Sequence, residues 1–216
     1  MADGARWTDV RATFRHAVAG FVSAVEAVPS SRLSEAALGS WNVRDLIGHA
    51  SRALTTIESY CGQTIDAPSL RGPAEYFARI GQAPPGSEAR RRRDAGIAER
   101  GREAGARLGG DPAVAVRALA ERVLAFVDAT DDEAPVASPA GQMTLAGYLP
   151  TRTFELAVHT LDLSAALGAP VPEVLQPAIA MSVMLAAEIA AGLPSAPDVL
   201  LALCGRRRLP EAFNVV

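Results

Sequence analysis

The chain has 216 residues, of which 49% are hydrophobic and 21% are charged, so it is long enough to bury one good core. Its formal net charge of -3 lacks the basic excess that nucleic-acid binding needs, and we expect no nucleic-acid partner. All 21 basic residues are arginine, which excludes phosphate-loop nucleotide binding and Schiff-base chemistry with pyridoxal phosphate, because both need a lysine.

Five segments carry the apolar spacing of amphipathic helices. In chain order they are residues 8–28, 42–60, 112–130, 144–167 and 172–191. Thr8 is the predicted N-cap of the first helix, and Asn42 with Asp45 forms a capping-box-like start for the second. Asp111 precedes a proline at the start of the third helix, and Pro150 inside the fourth predicts a kink or a later start.

The remaining segments are predicted to be connections and one small sheet. Residues 62–86 form a long connection, with 75–79 as a single helical piece. Residues 88–108, rich in arginine, are charged nearly all round, and we favour a solvated helix or a mobile segment over a surface that binds an anionic ligand. A β-rich run at 199–204 is predicted to pair with 213–216 across a turn.

These elements together predict a mainly α fold with two parts. Four amphipathic helices, two of them joined by a long crossover, fit a four-helix bundle over residues 1–167. Residues 168–216 are predicted to be a small C-terminal α+β extension, and no internal repeat is visible.

The cysteines and the apolar segments predict a cytoplasmic protein. Cys61 and Cys204 have neither a CxxC nor a metal-knuckle spacing, so we interpret them as small buried side chains in a reducing compartment. Residues 1–11 contain no apolar core of a signal peptide. The longest apolar stretch, 178–193, contains Glu188 and is shorter than the roughly 20 residues of a membrane span, so we expect no membrane partner.

Candidate chemistry lies on the helix predicted at 144–167. Glu155 and His159 are four residues apart and therefore point the same way from neighbouring turns, with Arg152 on the edge of the same side. His49 borders the apolar stripe of the second helix and can meet this pair across the core. Two histidines and one carboxylate from facing helices would make a three-ligand divalent metal site, with Zn²⁺ as the first choice and Fe²⁺, Ni²⁺ or Mn²⁺ possible.

Other readings of these residues stay open from spacing alone. Glu155 and His159 could instead be a surface ion pair. His16 projects away from the apolar stripe of its helix and is predicted to face solvent. Asp162, one turn after His159, could hold the second ring nitrogen of that histidine, whereas Asp45 is better explained as a helix N-terminal residue.

The segment Trp41-Asn-Val-Arg-Asp-Leu-Ile-Gly-His49, followed by Arg152-x-x-Glu155-x-x-x-His159-x-x-Asp162, resembles the mycothiol-dependent maleylpyruvate isomerase family of the DinB-like superfamily. This resemblance implies a four-helix bundle in which His49, Glu155 and His159 are the metal ligands. It also implies thiol-cofactor chemistry, with mycothiol as cofactor or cosubstrate, on small organic substrates. The chain departs from the family pattern at Leu161, where a tryptophan is usual, and in its short C-terminal extension.

The leading functional hypothesis is a metal-dependent enzyme that activates a low-molecular-weight thiol for transfer to, or isomerisation of, a small electrophile. Arg152 is its candidate catalytic residue, either fixing Glu155 or binding an anionic substrate, with a structural salt bridge as the alternative. Arg79 and the run 206–208 are weaker candidates for binding carboxylates. Two other hypotheses are a metal-dependent hydrolase and a non-catalytic, metal-stabilised binding module, and a homodimer is possible.

Overall fold

The computed structural model describes residues 9–66, 69–81, 86–211 and 213–216, and it confirms the mainly α fold class. These residues form eight α-helices and two small antiparallel sheets. The helices are α1 Val10–Glu26, α2 Val43–Tyr60, α3 Pro73–Ile80, α4 Glu88–Arg107, α5 Pro112–Ala129, α6 Leu145–Leu167, α7 Gln176–Ala191 and α8 Ala196–Leu203. The strands are β1 Ala36–Leu38, β2 Trp41–Asn42, β3 Pro135–Ser138 and β4 Gly141–Thr144.

Four helices form the predicted bundle. α1 and α2 each pack against both α5 and α6, which closes a ring around one core. The apolar stripes of these helices supply the fully buried side chains, among them Phe14, Phe21, Leu54 and Leu156. The long crossover between α2 and α5 contains α3 and α4, which lie on the outside of the bundle against α6 and α2 respectively.

The helix starts follow the predicted capping chemistry at most positions. Asn42 and Asp45 form a reciprocal capping box at the start of α2, and Asp111 accepts hydrogen bonds from the first backbone amides of α5. Thr8 lies outside the described residues, and Asp9 is the residue whose side chain caps α1. Pro150 lies inside α6, which begins directly after Thr144.

Residues 88–107 form the helix α4, as one of the two predicted alternatives, and most of its side chains are exposed or half-buried. One side, however, is not solvated. Its Gly101 and Gly105 are buried against α2, and a Cβ added to Gly48 would lie only 2.1 Å from the backbone nitrogen of Gly105. The hydrophobic pattern missed this contact because the two helices meet through bare backbone rather than through apolar side chains. Trp41 closes the contact by donating a hydrogen bond from Nε1 to the Ala98 carbonyl at 3.0 Å.

Two short hairpins precede the two central helices of the bundle. β1 pairs with β2, and α2 begins at the next residue, Val43. β3 pairs with β4 in the same way, and α6 begins directly after it at Leu145. The sequence predicts no strand in either segment. Each hairpin therefore fixes the position at which the following helix begins.

The strand predicted at 199–204 is wrong, because this run lies mostly in the helix α8. Residues 213–216 form no strand either. Residues 199–204 contain no polar side chain at regular intervals, so the sequence does not distinguish a helix from a strand there. The strand prediction rests on the valine and leucine content alone. The proposed domain boundary after Leu167 stays a prediction; Gly168 ends α6 in a left-handed conformation, and α7 packs back on α1 and α6.

One segment, Glu173–Ala191, is long and apolar enough to cross a membrane by length and composition. Core helices of globular proteins also meet that criterion. This segment contributes Leu175, Ala178 and Leu185 to the same core as the bundle helices, and the cytoplasmic location stays a prediction.

Candidate metal centre

Helix α6 brings Glu155, His159 and Asp162 to one face. Because they are spaced by four and three residues, their side chains stack on successive turns. The Nε2 atom of His159 lies 3.4 Å from Oε2 of Glu155, and its Nδ1 atom lies 3.0 Å from Oδ2 of Asp162. The contact between His159 and Asp162 confirms the partner predicted from spacing. A carboxylate only accepts hydrogen bonds, so Asp162 favours a proton on Nδ1; when the ring is neutral, this tautomer leaves the lone pair on Nε2.

Helix α2 supplies His49 from the opposite side. Its ring meets that of His159 edge to face, with centroids 4.6 Å apart, and the indole of Trp41 lies on it at 4.4 Å. The Nδ1 atom of His49 is buried and has no hydrogen-bond partner among the described residues. A buried ring nitrogen without a partner, on a histidine whose ring meets a second imidazole, is the kind of group that a bound ligand satisfies.

The predicted triad therefore converges. Donor atoms of His49, Glu155 and His159 all lie within 4.8 Å of one another. Donors about 2.1 Å from a tetrahedral Zn²⁺ stand roughly 3.4 Å apart, which matches the 3.4 Å between His159 and Glu155. Residue types, second-ring partner and spacing all fit a divalent metal, while the assignment of these three residues as ligands stays a prediction.

The pKa values of all three residues of the triad are shifted by burial and by neighbouring charges. Burial and the positive charge of His159 lower the pKa of His49 to about 4, with smaller contributions from Arg52 and Arg100. Burial opposes the charged forms of the other two groups. For His159 the hydrogen bonds to Asp162 and Glu155 outweigh burial and raise the pKa to about 9. For Glu155 the hydrogen bond from His159 and the charge of Arg152 outweigh it, which places the pKa at about 2.

Arg152 is buried and makes no direct ion pair with Glu155. Its guanidinium donates to the Thr151 hydroxyl and, at 3.0 Å, to the Tyr76 hydroxyl, and it lies over the rings of Tyr76 and Tyr148. The hydrogen bond between Arg152 and Tyr76 joins α3 to α6 about one helical turn before Glu155. The catalytic role predicted for Arg152 stays a prediction, and Tyr76 is a neighbour that the sequence did not indicate, because it reaches the site from the crossover.

The remaining candidate residues from the sequence do not belong to the triad. His16 is exposed, as its helix projection predicted. Arg79 pairs with Glu75 at 2.9 Å. Cys61 is half-buried, and Cys204 is exposed, so the prediction that Cys204 is buried is wrong; its helix, α8, buries no residue.

The fold and this cluster define a class: a helical-bundle protein with a His-Glu-His candidate metal centre held between two of its helices. The family model described as mycothiol maleylpyruvate isomerase N-terminal domain matches residues 12–164. The chain belongs to this family, and the match spans the bundle together with all three residues of the triad. No curated protein and no solved structure matches the chain.

Proposed function

We propose that this protein is a metal-dependent enzyme that activates a low-molecular-weight thiol, mycothiol, for transfer to or isomerisation of a small electrophile. The convergence of His49, Glu155 and His159 within 4.8 Å, inside a chain of this family, is the observation that carries the proposal. The partners are accordingly a thiol and a small electrophilic molecule.

His49, Glu155 and His159 would hold the metal, with Zn²⁺ as the ion that suits two imidazoles and one carboxylate. When bound, Zn²⁺ with an open coordination position lowers the pKa of a thiol and so provides a nucleophile at neutral pH. No lysine exists to supply this chemistry, and Cys61, the cysteine next to the bundle core, has a pKa raised by burial.

The surrounding side chains fix the orientation and the protonation state of these three residues. Asp162 holds the proton of His159 on Nδ1, so that Nε2 remains available to a ligand. Trp41 lies on one side of the His49 ring and limits its rotation. Arg152 places a buried positive charge near Glu155, which keeps that carboxylate ionised.

Metal binding is the first test. The purified protein is expected to bind one equivalent of Zn²⁺ and to melt at a higher temperature in its presence, because a ligand that binds only the folded state stabilises it. His49→Ala and His159→Ala should lose this binding, whereas His16→Ala, on an exposed face of α1, should retain it. Equal metal loss in all three variants, or no effect of Zn²⁺ on the wild type, would contradict the proposal.

Thiol dependence is the second test. The Zn²⁺-loaded protein is incubated with a small electrophile in the presence and absence of mycothiol, and product is measured in each case. We expect turnover only with the thiol. Turnover that needs no thiol would favour a hydrolase instead, and would reject thiol activation while leaving the metal centre in place.

A further inference from the structure

A cavity of about 900 Å³ lies between α3, the beginning of α6 and the end of α7. Among the described residues that line it, none belongs to the candidate triad. The lining residue of α6 nearest to the triad in sequence is Gly147, which precedes Glu155 by about 12 Å along the helix. Pockets of about 300–1,000 Å³ commonly hold small organic molecules. This cavity is therefore a second candidate binding site, away from the metal centre.

Apolar side chains from α3, from α7 and from the C-terminal segment form its walls. Phe77 of α3 and Ile189 of α7 line the cavity and are part of the hydrophobic core. Leu193 follows α7 and is half-buried, and Val215 lines the cavity while it packs against the same core. Such walls favour a ligand that removes them from water. They predict an occupant with an apolar body.

Residues at both ends of α3 line the cavity, and the end where α3 begins carries an exposed carboxylate. The amide of Leu70 donates to the Gln142 carbonyl of β4, so α3 starts beside the strand that leads into α6. Glu133 lies at this end, because the carbonyls of its neighbours Asp132 and Ala134 accept hydrogen bonds from the first residues of α6.

The other end of the cavity carries a positive charge, that of Arg90 on α4. Nη1 of Arg93 donates to the Ile80 carbonyl at 2.6 Å, which joins the start of α4 to the end of α3. The eight residues of α3 span about 12 Å, and this length separates the two ends. The cavity is therefore apolar along α3, with a cation at one end and an anion at the other.

The guanidinium of Arg90 makes no hydrogen bond to the described residues. Its side chain is only 22% exposed, and the carboxylate with which it pairs, that of Asp94, is 3.8 Å away and beyond hydrogen-bond distance. Asp94 is also shared with Arg93 at 3.4 Å. An arginine in this position is best satisfied by an anion that accepts from its planar fork.

The carboxylates that line the cavity are engaged elsewhere or lie far from this guanidinium. Glu75 accepts hydrogen bonds from Arg71 and Arg79, and Glu188 already takes part in an interaction of its own. Glu133 is exposed at the opposite end, where it would repel a second anionic group. The charges therefore favour a ligand with one anionic group over a ligand with two.

We propose that this cavity binds an organic molecule with an apolar body and a single anionic group. The anion lies at Arg90, and the apolar body lies along α3 against Phe77 and Ile189. This site goes beyond the proposed function, because it shares no residue with the triad and needs no metal ion.

Two fluorescent probes that differ by one anionic group test the site. Anilinonaphthalene sulfonate and N-phenylnaphthylamine have the same aromatic body, and only the first carries a sulfonate. Both are titrated into the wild type and into Arg90→Met in the presence of a chelator, so that no metal ion holds the sulfonate. We expect the wild type to bind the sulfonate about tenfold more tightly than the neutral probe. Arg90→Met should lose this preference and bind the neutral probe as the wild type does.

Arg92→Met is the matched control, since Arg92 pairs with Glu88 on the exposed side of the same helix and its loss should keep the preference. Ala78→Trp fills the cavity from an exposed position on α3 and should weaken the binding of both probes without lowering the melting temperature. Equal affinities of the wild type for the two probes, or an unchanged preference in Arg90→Met, would overturn the anion site. Probe binding that Ala78→Trp leaves unchanged would overturn the cavity as the place of binding.

Discussion

Helix α6 of the bundle and helix α8 near the C-terminus distribute their side chains in opposite ways. Inside the bundle α6 buries polar groups, with Thr151, Thr153 and Thr160 fully enclosed and Arg152 only 7% exposed. In α8 no residue is buried, and the apolar side chain of Leu203 is 75% exposed. Polar burial is costly unless the groups are satisfied, and here each of these four makes a hydrogen bond. The difference identifies the bundle interior as the region built around a polar site.

The contact between α2 and α4 should be the most sensitive point of the bundle. Gly48→Ala places a methyl group 2.1 Å from the backbone of Gly105, where no flexible side chain can give way. We expect a loss of about 3 kcal/mol in the free energy of unfolding, measured by urea denaturation. Gly110→Ala, which meets nothing within 4 Å, should change stability little; similar losses in both variants would show that the helices do not meet as closely as described.

The polar interior should also make the stability of the metal-free protein depend on pH. His159 has a pKa raised above its unfolded value of about 6.5 to about 9. The stabilisation from its protonated form is therefore complete below pH 6.5 and lost as pH rises through 9. We expect the free energy of unfolding to fall by an amount on the order of 2 kcal/mol across this window.

Stabilisation by Zn²⁺ should depend on pH in the opposite direction, because the proton of His159 competes with the metal. Zn²⁺ requires the neutral Nε2 of His159, so the increase in melting temperature caused by Zn²⁺ should grow between pH 6.5 and 9. Asp162→Asn removes one of the hydrogen bonds that raise the pKa of His159 and should flatten the pH dependence of the metal-free protein. A slope that is the same in this variant and in the wild type would assign the dependence to another group.

The smallest effect is expected in α8. Leu203→Ala removes a side chain that is already 75% exposed, so the free energy of unfolding should change by no more than about 0.5 kcal/mol. Leu163→Ala, at a position that is 1% exposed in α6, should cost about 2–5 kcal/mol. If thermal and urea unfolding gave equal losses for both, the contrast between α6 and α8 would be false.

This contrast also explains which predictions from the sequence succeeded. One-sided burial leaves a periodic signal, so the bundle helices were predictable, and the i, i+4 spacing of Glu155 and His159 predicted that they share a face. The α8 segment has no buried side, and its apolar run therefore looked like a strand.

Other features left no local signal at all. The approach of α4 depends on glycines 101 and 105 meeting Gly48, a backbone contact between residues more than 50 positions apart that leaves no apolar periodicity in the sequence. The partnership of Tyr76 with Arg152 joins the crossover to α6 over a similar distance in sequence. The meeting of His49 with the Glu155 pair was expected only once a bundle was assumed.

The two hairpins set the rotational phase of α2 and α6, the helices that carry the candidate triad. At about 100° per residue, the seven residues from Asn42 to His49 fall roughly 20° short of two full turns, and the eleven from Thr144 to Glu155 pass three turns by roughly the same angle. Each of these side chains thus projects almost in line with the cap that starts its helix. A single residue inserted after Asn42 would turn His49 by about 100°, and one inserted after Thr144 would turn Glu155 and His159 together by the same angle, in each case away from the donors of the other helix. The number of residues between each hairpin and these side chains is therefore as much a part of the candidate site as the side chains themselves.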